Sequence, residues 1–460
     1  MLIGLDCAEP SLVLERWRAE LPTLGGLIER GRYGRLTSVV PPITVPAWSC
    51  MTASRTPGDL GIYGFRNRAD HSYDALFVAN GDAVKAPRLW DYATRNGKPS
   101  IVLGVPGTYP PRPLNGVLVS CFLTPSTESQ YTYPPLLARE VEQVVGEYLF
   151  DCTNFRTEDK DDLLTQVYEM TDRRFRLADH LLRTKPWELF AMVEMGTDRM
   201  HHAFWKAEGR HADAILDYHR HVDGLVAGLL EHADDETVVL VVSDHGAKRL
   251  EGSVRINEWL RREGLLRLAS EPHGRSSLAE VGVDWAATTA WGDGGYYGRV
   301  FLNVRGREPQ GTVAPEDYER VRAELAERLA GIPGPDGEPL GTRVFRPEDV
   351  YDEVNGVPPD LLVYFGDLSW RSVGTVGGDE GIHTFENDTG PDDANHAQDG
   401  LLIMAGPGIE PGPADGMHLL DVAPTVLELL GIEVPATMRG RSLLSTRASG
   451  GSGPAASLSP

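Results

Sequence analysis

Short apolar runs recur along the chain, each closed by a polar turn and followed by a helical pattern. Runs at 1–5, 100–105, 117–122, 189–195, 237–242 and 401–405 are apolar almost throughout, as strands covered on both faces by helices must be. Between them, amphipathic periodicity marks a helix at 212–230, and a shorter one follows at 422–430. The alternation predicts an α/β/α sandwich around a mostly parallel sheet.

Residues 285–364 break this rhythm. YYGRVFLNV reads as a strand, PEDYERVRAELAERLAGI as a helix, and TRVFRPEDVY and PDLLVYF as two more strands. A smaller inserted α+β lobe is expected there, leaving 1–284 and 365–445 as the main core. The segment 109–183 is Pro-rich and then helical, and is expected to form part of a cover over the site. Residues 446–460 lack the apolar content to pack and are expected to be disordered.

Composition narrows the class. No run approaches the roughly 20 apolar residues that span a bilayer, and MLIGLDCAEP reads as a buried strand rather than a leader. The four cysteines form no CxxC pair, which fits reduced thiols in a cytoplasmic protein. A net charge of −23 argues against a surface that coats nucleic acid. A small phosphorylated substrate stays compatible, because bound cations reverse the local field.

Candidate chemistry gathers where strands end. In open α/β sheets ligands bind beyond the carboxyl ends of the strands. Asp6 ends the first run, Asp198 follows LFAMVEM, Asp244 and His245 follow VVLVV, and His396 precedes LLIMAG. Asp198 and His202 are spaced to share one helix face, while His201 points elsewhere. Singly, each has an ordinary reading as a turn, cap or loop residue. Together, three carboxylates and three imidazoles suit zinc, with manganese as the alternative. In PPITVPAWSCMTASRTPGDLGIYGF, Thr44 stands just before a helix whose first turn accepts Pro46. That helix start offers free N–H groups to a phosphate, although without the surrounding ligand candidates Thr44 reads by default as a plain N-cap.

The order Asp6, PPITVPAW, D-x-x-x-H, SDHG and a late NH before GLLIMAGPGI resembles the alkaline phosphatase superfamily. The likeness is greatest to its type I phosphodiesterase and nucleotide pyrophosphatase branch and to the related phosphohydrolases and phosphomutases. The resemblance implies that Asp6, Thr44, Asp244 and His245 hold one divalent ion and Asp198, His202 and His396 a second. It also implies a small phosphorylated substrate, nucleotides included, and Thr44 as a nucleophile that passes through a phosphothreonine. Two such ions, three carboxylates and a Thr44 alkoxide would sum to zero charge, leaving room for an anionic phosphate.

One motif departs from the family. Its nucleotide pyrophosphatases carry an Asn three residues after a Gly-Ile pair, where this chain has Phe65 after Gly61 and Ile62. Arg66 and Asn67 follow, with Arg68 beyond them. Tyr63, Phe65, Arg66 and Asn67 are therefore the candidate substrate contacts. Trp291, Tyr296 and Tyr297 are further candidates for the leaving-group pocket, with at least half of these aromatics expected in the core. A phosphomonoesterase or phosphomutase of the same fold is the nearest alternative, and a catalytically silent metal-binding protein the more distant one.

Overall fold

A computed structural model describes residues 1–379 and 381–444; the expected disorder of 446–460 lies outside the described residues. The strand Leu2–Leu5 is buried throughout and lies in the middle of a ten-stranded sheet. It pairs in parallel with Leu189–Glu194 on one side and Val239–Val242 on the other. Ser100–Leu103 and Gly116–Val119 continue the parallel run outward. Asp399–Ala405 runs antiparallel between Val239–Val242 and Arg32–Thr37, so its start lies at the edge where the parallel strands end.

Helices cover both faces, as the unbroken apolar runs require. Pro22–Arg30, Lys160–Thr184 and Ala214–Leu230 share one core with Ile3 and Leu5. Thr44–Ala53, Leu89–Arg95 and Val422–Leu429 share the other with Leu2, Val102 and Val242. The expected α/β/α sandwich is present. Gly4 decides one detail of it: a Cβ there would stand 2.4 Å from the Trp48 ring and 2.8 Å from Val193. Glycine lets the indole lie against the central strand.

A second, four-stranded antiparallel sheet is built from Ala290–Asp293, Gly298–Leu302, Leu361–Tyr364 and Arg343–Phe345. The helix Tyr318–Ala330 packs on it. Its core also takes Val254, Trp259, Leu260, Trp370 and Val376, so the packing of this lobe reaches beyond 285–364. TRVFRPEDVY is not one strand: after Arg343–Phe345 the chain turns into the short helix Pro347–Val350. Pro347 with Glu348 and Asp349 makes a helix start, which outweighs the strand propensity of the flanking residues.

The segment 109–183 mostly builds the sandwich. It supplies the edge strands Gly116–Val119 and Thr132–Tyr133 and the long helix Lys160–Thr184. Its turn at 151–156 is the part that reaches the candidate site, through Asp151, Phe155 and Arg156. Among the described residues no helix is long and apolar enough to cross a membrane, and all four cysteines are free.

Candidate active site

The ends of three adjacent parallel strands deliver the first carboxylates. Asp6 leaves Leu2–Leu5, Asp244 leaves Val239–Val242, and Asp198 sits in the first turn of Gly196–Phe204, the helix that follows Leu189–Glu194. Acid in a first helical turn is favoured by the helix dipole. His202 lies one turn on, with its Nε2 3.3 Å from Asp198 Oδ1. His396 arrives from another element, the strand Ala394–Ala397, which pairs antiparallel with Gly246–Arg249. That pairing stacks the His396 ring on His245 at 3.8 Å. All six side chains are buried.

Each carboxylate keeps one oxygen for the protein and presents the other. Asp6 Oδ2 accepts from Trp48 Nε1 at 2.6 Å, Asp198 Oδ2 from Arg199 Nη1 at 2.5 Å, and Asp244 Oδ1 from the Cys7 N–H at 3.3 Å. Among the described residues, Asp6 Oδ1, Asp198 Oδ1 and Asp244 Oδ2 have no hydrogen-bond partner. The imidazoles are fixed by their other nitrogens. His245 Nδ1 faces Gly246 O at 3.1 Å, His396 Nδ1 faces Pro42 O at 2.7 Å, and His202 Nδ1 faces Asp392 Oδ1 at 2.7 Å. With Nδ1 as the donor, every Nε2 offers a lone pair to the centre.

The free atoms form two groups. Around His245 Nε2 lie Asp244 Oδ2 at 3.3 Å, Thr44 Oγ1 at 3.4 Å and Asp6 Oδ1 at 3.8 Å. In the second group, His202 Nε2 is 3.4 Å from His396 Nε2, and Asp198 Oδ1 is 3.3 and 3.8 Å from those two atoms. Ligands on a tetrahedral zinc with bonds of 2.0–2.1 Å stand about 3.3 Å apart, so both groups fit a divalent ion. A buried carboxylate oxygen without a partner costs several kcal/mol in order-of-magnitude terms, and here three converge.

Electrostatics show the same deficit of positive charge. Burial, then the Asp198 charge, raises Asp6 well above the usual carboxylate range, and burial followed by Asp6 does the same to Asp244. At Asp198 burial acts in the same direction but is outweighed by His202 and Arg199, leaving its carboxyl well below that range. At His202 burial opposes the charged form, but Asp392, Tyr296 and Asp198 together outweigh it and raise the imidazole. Burial lowers His245 to about 4, and burial with the His245 charge lowers His396. Divalent cations would reverse the trend at the carboxylates.

Thr44 is the first residue of the helix Thr44–Ala53, and Ile43 occupies the cap position. The cap reading of Thr44 is therefore excluded: its hydroxyl faces His245 and not a helix N–H. The four candidate substrate contacts divide. The Asn67 amide closes its own turn, accepting from the Tyr63 N–H at 2.7 Å and donating to Gly64 O at 2.9 Å. The Tyr63 hydroxyl is spent on Asn355 O. Arg66 is exposed on the short strand Arg66–Arg68. Phe65 is half-buried, packed near Ile43, Val45 and Phe122 at the start of the helix Thr44–Ala53. Arg68 turns away and pairs with Glu308 in the second lobe.

Tyr296 stacks on His396 at 4.1 Å, whereas Trp291 and Tyr297 are core residues. His201 stays outside both groups, its Nδ1 on Cys7 O. Sequence reasoning missed Trp48, Arg199 and Asp392, which hold Asp6, Asp198 and His202. The signal was available in spacing: Trp48 is one turn after Thr44, Arg199 follows Asp198, and Asp392 is four residues before His396.

A family profile described as Type I phosphodiesterase / nucleotide pyrophosphatase matches residues 1–392. No curated protein matches the chain. Among solved structures, the human ectonucleotide pyrophosphatase / phosphodiesterase 5 superposes with a TM-score of 0.56 at 14% identity, over 94% of this chain and 95% of that one. The murine protein gives 0.56 at 13% identity with the same coverage. An inactive threonine-to-alanine variant of the murine protein, in complex with AMP, gives 0.55 at 13% identity, again over 94% and 95%. At such identities the resemblance is one of fold.

Proposed function

Because the chain belongs to the type I phosphodiesterase / nucleotide pyrophosphatase family, a phosphoric-ester hydrolase branch of the alkaline phosphatase superfamily, we propose that it cleaves phosphodiester or nucleotide pyrophosphate bonds by covalent catalysis at two divalent cations. The observation that carries this reading is the set of unpartnered oxygens, Asp6 Oδ1, Asp198 Oδ1 and Asp244 Oδ2, each facing a histidine Nε2. Asp6, Thr44, Asp244 and His245 would hold one cation, zinc by preference or manganese, and Asp198, His202 and His396 the other. When bound, such ions supply the charge that stabilises the Thr44 alkoxide and the attacking and leaving oxygens.

The chain's own groups do the rest. Thr44 Oγ1, its proton passed to solvent, forms the new bond to phosphorus while the leaving oxygen departs with the electron pair of the broken bond, giving a phosphothreonine that keeps the substrate's remaining ester group. Water entering from the vacated side then releases the phosphoryl group and restores the hydroxyl. The N-terminal N–H groups of Thr44–Ala53 face the phosphate oxygens. Trp48 and Arg199 keep Asp6 and Asp198 turned inward, and Phe155 and Tyr296 shield His202 and His396 from bulk water. The complex of a fold relative with AMP supports a nucleotide as substrate, and the four free cysteines support a cytoplasmic location.

The test compares bis(p-nitrophenyl) phosphate, p-nitrophenyl phosphate and a dinucleotide pyrophosphate, before and after chelation and on re-addition of zinc or manganese. Metal-dependent turnover that favours the diester and pyrophosphate supports the reading. A preference for the monoester moves the assignment to a phosphomonoesterase.

A further inference from the structure

The Asp392 carboxylate is shared by three cationic or donor groups. Its Oδ1 faces His202 Nδ1 at 2.7 Å, and its Oδ2 accepts from Arg156 Nε at 2.9 Å and Arg371 Nη1 at 2.6 Å. Among the described residues, Asp392 is the carboxylate within ion-pair distance of either arginine. Two guanidiniums against one carboxylate leave a surplus positive charge, since a histidine holding a metal through Nε2 is neutral.

The surplus is held in place. Arg371 is buried, with its guanidinium over the Tyr296 ring at 4.7 Å. Arg156 keeps 15% of its side chain exposed, rests on the Phe155 ring at 4.3 Å and donates from Nη2 to the Tyr296 hydroxyl at 2.8 Å. Its Nη1 has no protein partner among the described residues. A pre-oriented guanidinium with a free donor edge is built to take a planar or tetrahedral oxyanion.

Its position says which part of a substrate it would meet. In an in-line displacement the attacking and leaving oxygens lie on opposite sides of phosphorus. Thr44 attacks from the Asp6, Asp244 and His245 group, so the leaving group faces Asp198, His202 and His396. Arg156 is tied to that side twice, through Asp392 to His202 and through Tyr296 to His396. We propose that Arg156 is a specificity-determining residue that binds a second anionic group carried by the leaving group, so that the enzyme selects pyrophosphate-linked substrates over phosphodiesters with uncharged leaving groups. The inference rests on the function proposed above and deepens it.

Two substrates that transfer the same adenylyl group separate the effects: diadenosine pyrophosphate, whose leaving group is anionic AMP, and the p-nitrophenyl ester of AMP. In Arg156→Gln, KM for diadenosine pyrophosphate should rise about 10- to 100-fold, the worth of one charge-assisted hydrogen bond. KM for the nitrophenyl ester should stay within about twofold of wild type with the metal content unchanged at about two ions per chain, and Arg156→Lys should recover part of the preference. An independent check needs no variant: added salt should weaken binding of diadenosine pyrophosphate more than of the nitrophenyl ester. Equal losses on both substrates, or no loss on either, together with equal salt effects, overturn the proposal while leaving the hydrolase reading intact. A wild-type protein with no metal-dependent activity on either ester overturns both.

Discussion

Trp48 donates its indole N–H to Asp6 Oδ2 at 2.6 Å from a position that exists because Gly4, two residues before Asp6, has no side chain. One strand thus carries both the carboxylate and the gap that admits its orienting partner. The bond fixes which Asp6 oxygen faces Thr44 and His245. Trp48→Phe keeps most of the apolar volume and removes only the donor. The variant's affinity for the cation of the Asp6, Thr44, Asp244 and His245 group is expected to fall about 10- to 100-fold, the usual effect of losing an outer hydrogen bond to a ligand. Titration calorimetry on metal-free protein measures this, and unchanged affinity contradicts the assigned role.

Asp392 gives a parallel prediction for the other group. Burial opposes its ionisation, but His202 and then Arg371 and Arg156 hold the carboxyl well below its ordinary range. Asp392→Asn removes the charge and weakens the hold on His202 Nδ1. Protein dialysed against limiting zinc is expected to retain about one ion per chain in place of two. Full retention of both would show that His202 is oriented without it.

His219 sets a pH dependence away from the metal groups. It is buried against Trp17 and His201, with Nδ1 on Ile215 O and Nε2 without a partner among the described residues. Burial lowers its pKa to about 4, against about 6.5 in an unfolded chain. Between those values the unfolded state binds the extra proton, so this contribution to stability is full above pH 6.5 and is lost as pH falls toward 4. From pH 7 to pH 5 the loss from this residue is about 2 kcal/mol. Urea unfolding of wild type and His219→Phe at the two pH values tests it, and the variant should lack this share of the decline.

Much of the fold and of the candidate site's layout was legible because unbroken apolar runs have few other uses. Met1–Leu5 and VVLVV can be buried only as central strands, and the residues just beyond such strands land at one edge. That places Asp6, Asp244 and His245 together before any contact is known. His396 was harder, since it arrives through the pairing of Ala394–Ala397 with Gly246–Arg249, a tertiary event with no local pattern. Tyr63 and Asn67 illustrate the opposite failure. Polar residues near the Thr44 motif look like substrate contacts, yet the Asn67 amide closes the turn at 63–67 and the Tyr63 hydroxyl donates to Asn355 O. The 343–350 stretch was misread because strand propensity was weighed without the proline that starts a helix.

Chelation should act on stability as well as on turnover. Removing the cations leaves three carboxylate oxygens unpartnered in the interior, and binding to the native state alone adds stability by mass action, about 4 kcal/mol at a thousandfold excess over Kd. The melting temperature should therefore rise with zinc in wild type and rise less in His396→Ala. Elemental analysis of the loaded proteins should find about two ions per chain and about one, respectively. A melting temperature indifferent to metal contradicts the two-cation site.

The central claim is that Thr44 is the nucleophile, and trapping its phosphorylated form tests that most directly. Thr44 caps no helix N–H and its hydroxyl contacts only His245 among the polar groups of the described residues, so Thr44→Ala should fold with a stability change within about 1 kcal/mol. Metal-loaded wild type is mixed with bis(p-nitrophenyl) phosphate in a single turnover, quenched in acid, and the peptide spanning Thr44 is weighed by mass spectrometry. The account predicts a p-nitrophenyl phosphoryl adduct on Thr44 in wild type, none in Thr44→Ala, turnover of that variant lower by several orders of magnitude, and partial activity in Thr44→Ser. Hydrolysis by Thr44→Ala at close to the wild-type rate, with no adduct in either protein, would contradict it and leave direct attack by water as the mechanism.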